Sequence, residues 1–195
     1  MKIIFSSNTT IIDYLVASTK KISLFFVLFI FCIFQSHAQA DPCETQRDFQ
    51  QGLNFDGIND QVNVSFSNSL DLTSEVTVEA WVNTNNVSSW QGIAGNLVNG
   101  GTAYGYQLLI NDAGRPYFQV GQSYNNWSAA EGSTVLSANT WIHLAGSYSS
   151  STNQIKVYVN GVLDSNGSNN PKTWYGPLVN SPTANFNIGR RPDGN

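Results

Sequence analysis

The chain has 195 residues, with nine Lys or Arg against thirteen Asp or Glu and a net charge of −4. That balance excludes a phosphate-reading nucleic-acid surface, which needs a basic patch. Only 11% of the residues are charged; Asn, Ser, Thr and Gly stand in their place, a composition that favours strands and turns over long helices.

Residues 1–40 read as a secretory signal peptide. Lys20 and Lys21 precede ISLFFVLFIFCIF, an uncharged run, and QSHAQA follows with the small-x-small form of a cleavage site at Ala38–Ala40. The apolar run spans about 20 Å as a helix, short of the ~30 Å hydrocarbon core, so it is too short for an anchor. Cleavage is expected before Asp41, and no later segment is long and apolar enough to form a membrane-spanning helix. The mature part then carries six Lys or Arg against twelve Asp or Glu. Residues 41–51 form a polar lead-in holding Cys43, the one cysteine after the leader. In an oxidising compartment an odd cysteine either pairs with a cysteine outside this chain or stays a free thiol on a flexible tail.

From residue 52 onward the chain is a succession of short period-two segments broken by Gly, Asn, Asp and Pro. In EVTVEAWVN, Val76, Val78, Ala80 and Val82 point one way and Thr77, Glu79, Trp81 and Asn83 the other. QVNVSF, GYQLLI, PYFQV, TWIHLAGSY and QIKVYV read as further strands, with GLNF, GIAG, STVL and NFNIG weaker. Asn160-Gly161 between QIKVYV and VLDS predicts a type I′ hairpin, and NDAG between YQLLI and RPYFQV a four-residue one. About ten strands, each apolar on one side, predict an all-β antiparallel two-sheet sandwich.

LNFDGINDQVNV, SLDLTSEVTVEAWVNT, NTWIHLAGSYSSSTNQIKVYVNGVL and NFNIGRRPDG resemble, in order and spacing, the LamG-like jelly-roll domain of the concanavalin A-like group, which includes laminin G modules, pentraxins and legume lectins. The resemblance covers residues 52–195, and the Trp-x-His…Tyr-Val-Asn-Gly block is its most specific part. It implies a jelly roll that continues into a further strand after IGRRPDGN, so the chain reads as a domain lacking at least its last strand. It also implies a structural calcium at FDGINDQV, where Asp56, Asn59 and Asp60 offer oxygens around Gly57; the plainer alternative is an Asp-Gly turn.

Catalysis finds little support in the residues. Glycoside hydrolysis needs two carboxyls about 5–5.5 Å or 6.5–9.5 Å apart. Glu79 has Thr77 and Trp81 as same-face neighbours, and Glu75 lies about 13 Å back along the strand. Glu131 and Asp112 are placed in loops. His143 has neither a nucleophile with an orienting acid nor a metal-ligand spacing around it, so it is read as a packed strand residue and no catalytic residue is expected.

The functional signal lies in aromatics. Trp81 and Trp141 fall inside strands, but Trp90, Trp127 and Trp174 sit among Ser, Asn and Gly, with Tyr104, Tyr124 and Tyr175 near by. Exposed rings beside amides are what sugar recognition uses, the ring against the apolar pyranose face and the amides on hydroxyls; the alternative is that they fold back to plug the sandwich ends. Trp90, Trp127, Trp174, Tyr124 and Tyr175 are therefore the candidate ligand-binding residues. The expected function is a secreted or cell-surface, non-catalytic binding or adhesion module for glycans. The alternatives are an accessory part of a larger extracellular glycoside hydrolase and an adhesion domain for surface proteins.

Overall fold

The structure, a computed structural model, describes residues 1–4, 52–98, 103–123, 126–181 and 183–191. Cys43, the proposed cleavage site and Tyr124 lie outside the described residues.

Among the described residues thirteen strands form two sheets: β1 Lys2–Ile4, β2 Leu53–Asn54, β3 Val62–Val64, β4 Glu75–Asn83, β5 Gln91–Gly95, β6 Ala103–Ile110, β7 Pro116–Ser123, β8 Asn126–Glu131, β9 Ile142–Ser149, β10 Gln154–Val159, β11 Val162–Leu163, β12 Lys172–Thr173 and β13 Phe186–Ile188. One sheet runs β11-β10-β9-β4-β1-β2, with β12 also paired to β10. The other runs β3-β13-β5-β6-β7-β8. All the pairings are antiparallel. Among the described residues no helix is long and apolar enough to cross a membrane.

Alternation sets the two faces. Val76, Val78, Ala80 and Val82 of β4 are buried, as are Leu144 and Tyr148 of β9 and Ile155 and Val157 of β10. They meet Tyr106, Leu108 and Ile110 of β6 with Phe118 and Val120 of β7 in one core. Each large side chain removed from water there contributes about 1.5–3 kcal/mol. The sheets interlock where Phe118 lies on Gly146: a Cβ at Gly146 would stand 2.2 Å from the Phe118 ring.

The Asn160-Gly161 turn has positive φ at both residues, 50° and 78°, as a type I′ hairpin requires. Asn160 also accepts the His143 backbone N–H through Oδ1 at 3.1 Å. In the β6–β7 loop, Asn111 Oδ1 accepts from the N–H groups of Ala113 and Arg115 at 3.0 and 2.8 Å, and Gly114 takes φ 73°.

Two local expectations change. Ser133–Leu136 is not a strand: the Leu136 N–H bonds to the Gly114 carbonyl in a loop, and Asp164 accepts from the Ser133 hydroxyl and the Thr134 N–H and hydroxyl. NWSAAE is a strand, β8, so Trp127 and Glu131 lie on a sheet edge and not in loops. Lys2–Ile4, within the stretch read as a leader, pairs with β4 on one side and β2 on the other; the terminal ammonium donates to the Phe55 carbonyl at 2.9 Å. Burial lowers the pKa of that ammonium.

Candidate functional site

The site is built on the outer face of the six-stranded sheet. Phe118, Val120 and Ala130 turn inward, so Tyr117, Gln119 and Gly121 of β7 and Trp127, Ala129 and Glu131 of β8 turn outward. Trp127 is 48% exposed, and its cross-strand neighbour is Gly121, which has no side chain to cover the indole. At the same end of the sheet Asn126 Nδ2 donates to Gln122 Oε1 at 2.7 Å. A methyl group at Gly176 would lie 2.8 Å from that same Gln122 oxygen. The Tyr175–Gly176 segment thus abuts the β7–β8 end, and Tyr175 is 83% exposed. Strand β8 supplies Trp127, the facing ends of β7 and β8 supply the Gln122–Asn126 amide pair, and the stretch after β12 supplies Tyr175.

Further along this face Trp90 meets Tyr117 edge-on, with ring centroids 5.2 Å apart. The Arg191 guanidinium lies 4.9 Å from the Trp90 ring centroid. Arg115 pairs with Glu131 at 3.3 Å. Burial, and secondarily the Glu131 charge, raises the Tyr117 pKa. Trp90 is therefore partly enclosed by its neighbours.

The other sequence candidates separate. Trp174 does not stand on a rim: it is 8% exposed and meets Tyr148 edge-on at 5.4 Å, inside the core. Strand β12, paired with β10, delivers it there, and the Tyr148 hydroxyl closes the packing by donating to the Gly176 carbonyl at 2.6 Å. Tyr104 sits half-buried in β6. Sequence reasoning missed Gln122, which sits at the register shift between Gly121 and Ser123, an irregularity that period-two alternation does not signal.

At the Asp-Gly loop, Asp56 Oδ1 accepts the N–H groups of Ile58 and Asn59 at 2.8 and 3.4 Å, and Asp60 Oδ2 accepts the Asp56 N–H at 2.9 Å. The Ile58 N–H above all holds the Asp56 carboxyl below its usual pKa. One oxygen of each carboxylate, Asp56 Oδ1 and Asp60 Oδ2, already serves the loop's own amides. Among the described residues no group of three or more His, Cys, Asp or Glu is placed to hold a metal. Asp56 and Asp60 offer two carboxylates toward the six to eight oxygens that a calcium ion takes.

On the opposite, seven-stranded sheet, Trp81 stands directly across from His143 and Glu79 across from Ala145. No second carboxylate lies beside Glu79 on the neighbouring strand, whose facing residues are Ala145, His143 and Ser147. The two-carboxyl geometry of glycoside hydrolysis is not assembled around it.

Among curated proteins none matches this sequence. Solved structures with a similar fold include the CBM40 module of the Ruminococcus gnavus IT-sialidase bound to α2,3-sialyllactose (14% identity, 69% of this chain and 81% of that one, TM-score 0.46). A putative carbohydrate-binding protein from Bacteroides ovatus is 24% identical over 68% of this chain and 35% of that one, TM-score 0.47. Domains LG4-5 of the mouse laminin α1 chain are 15% identical over 66% of this chain and 30% of that one, TM-score 0.42. The family profile Laminin_G_3, described as the concanavalin A-like lectin/glucanases superfamily, matches residues 56–195, and with the antiparallel two-sheet sandwich now described, the chain belongs to that family.

Proposed function

We propose that this domain is a secreted, non-catalytic carbohydrate-binding module whose ligand sits at the β7–β8 end of the six-stranded sheet. The observation that carries the reading is an indole left 48% exposed at Trp127, next in the chain to Asn126, whose amide bonds to Gln122. An uncovered ring supplies a flat apolar surface for a pyranose face, and amides supply both donors and acceptors for hydroxyls. Tyr175 adds a second ring from the adjoining segment. Gln122, Asn126 and Trp127 stand on strands and not on loops, which limits the entropy lost on binding.

Glycan-array binding of the wild-type protein, with affinities then measured for the best neutral oligosaccharide, tests this. Trp127→Ala and Tyr175→Ala are each expected to weaken binding about tenfold, equivalent to ~1.4 kcal/mol, with the melting midpoint unchanged. Undiminished glycan affinity in the double variant would end the stacking model. Capture of a surface protein with no glycan bound would favour an adhesion domain instead.

A further inference from the structure

At the far side of the same sheet, about four strands from Trp127 and so roughly 20 Å away, lies an open cleft of about 250 Å³ lined by Asn63, Asn96, Asn185, Asn187 and Arg190. Asn187 of β13 and Asn63 of β3 are cross-strand partners. Because Phe186 and Ile188 pack against the core, both asparagines turn outward. The remaining wall is Leu97, Val98 and Ala184; among the described residues neither an acidic nor an aromatic side chain lines the cleft.

The polar groups are held in place before any ligand arrives. Arg190 is fixed at three points: its Nη1 donates to Gln61 Oε1 at 2.9 Å, its carbonyl accepts from the buried Gln107 Nε2 at 3.0 Å, and the preceding Gly189 donates its N–H to the Ile93 carbonyl at 2.9 Å. Gly92 makes that approach possible, since a Cβ there would meet the Arg190 carbonyl oxygen at 2.2 Å. Asn185 Oδ1 accepts the Phe66 N–H at 3.3 Å, and Asn187 Nδ2 donates to the Asn185 carbonyl at 3.1 Å. Asn96 is anchored by the Tyr106 N–H and by Asn180 Oδ1, each at 3.0 Å. What these bonds leave over is the Asn187 oxygen, the Asn185 amide donors, the rest of the Arg190 fork and both ends of the Asn63 side chain, which makes no hydrogen bond among the described residues.

We infer that this cleft is a second binding site, for a single acidic sugar residue. The guanidinium takes the carboxylate, for which its fork of donors is matched, and the amides of Asn63, Asn185 and Asn187 take hydroxyls, for which a side chain must both donate and accept. The volume lies below the roughly 300–1,000 Å³ of sites for drug-sized ligands, which limits the occupant to about one ring. Among the described residues that line the cleft the Arg190 guanidinium is the one charged group, and it sets the sign of the ligand. Selection here is electrostatic and polar, in contrast with the stacking surface around Trp127.

The experiment is titration of the full chain with D-glucuronic acid and D-galacturonic acid, and in parallel with D-glucose and D-galactose, followed by NMR shifts of the asparagine side-chain amides. The acids are expected to bind and the neutral sugars to bind at least tenfold more weakly. Arg190→Gln should lower the acid affinity about tenfold, and added salt should weaken binding by the wild type. Asn63→Ala, which removes a side chain with no hydrogen bond to lose among the described residues, should weaken binding without moving the melting midpoint and decides the matter if Arg190→Gln does not fold. Trp127→Ala should leave uronate binding intact, which separates this site from the aromatic one. Equal affinity for acid and neutral sugars, no uronate binding, insensitivity to both cleft variants, or loss through Trp127→Ala would each overturn the inference.

Discussion

Glu79 and His143 are diagonal neighbours across the β4–β9 ladder, with His143 Nε2 3.6 Å from Glu79 Oε2. The imidazole also lies 5.5 Å from the Trp81 ring, tilted at 60°. Its backbone N–H and carbonyl are both taken by Asn160, at the hairpin tip. These contacts account for a histidine in an apolar strand without assigning it chemistry: it covers Trp81 and pairs with a half-exposed carboxylate.

His143→Gln and Glu79→Gln are accordingly expected to change stability by no more than about 1 kcal/mol, the range of exposed ion pairs. Glycan affinity should be unaffected. Melting curves and the binding assay check both; lost binding in a folded variant would move the ligand site to the seven-stranded sheet.

Two tryptophans read alike in the sequence should part company on mutation. Trp174→Ala empties part of the core against Tyr148 and is expected to cost about 3–5 kcal/mol. Trp127→Ala, on the exposed edge strand, should cost well under 1 kcal/mol. Denaturant titration of the two variants measures the difference, and equal costs would contradict their placement.

Glycines 146 and 161 predict two kinds of cost. At Gly146 an alanine methyl collides with the Phe118 ring, so the sheets must separate locally, costing about 1–3 kcal/mol. At Gly161 a methyl meets nothing within 4 Å, and only the positive φ resists it, at about 1–2 kcal/mol. A compensating Phe118→Leu should rescue part of the Gly146→Ala loss and none of the Gly161→Ala loss, as a double-mutant cycle would register.

Alkaline pH should destabilise the fold through Tyr106. Burial, and then the Asp71 charge, pushes its pKa up to about 12, and its hydroxyl donates to the Leu70 carbonyl at 3.2 Å. The folded state holds this proton more tightly than the unfolded chain, whose tyrosine titrates near 10. The stabilisation is thus complete below about pH 10 and lost as pH rises through about 12. Tyr106→Phe should cost about 1 kcal/mol at neutral pH and flatten the fall of the midpoint between pH 10 and 12. Tyr148 and Tyr117, also raised by burial, leave a residual slope.

The Asp56 loop gives a metal test. Because its carboxylates already accept from the loop's own N–H groups, a chelator is expected to leave the melting midpoint unchanged. A rise with millimolar calcium that Asp60→Asn abolishes would place the ion there.

Much of the sandwich is legible in one dimension because its causes are local. The spacing of Val76, Val78, Ala80 and Val82 places one face of β4 inward, and Asn160-Gly161 accepts the two positive φ values that join β10 to β11. The strands escape notice where local pattern is weak: NWSAAE has small residues on both faces, so β8 forms through its pairing with β7. STVL has the right residue types, yet its Leu136 N–H finds a loop carbonyl and never a ladder.

The sequence by itself determined the class of fold, the hairpins, the family and the assignment of His143 to a strand, since period, turn chemistry and motif spacing act between near neighbours in the chain. Exposure was settled only in three dimensions. SSW, NNW and KTW place each indole among similarly polar neighbours, and what covers a ring comes from elsewhere: Tyr148 meets Trp174, Arg191 caps Trp90, and Gly121 leaves Trp127 bare. The asparagine cleft has the same origin, because sheet pairing brings Asn63 against Asn187 and a backbone crossing at Gly92 sets Arg190 beside them.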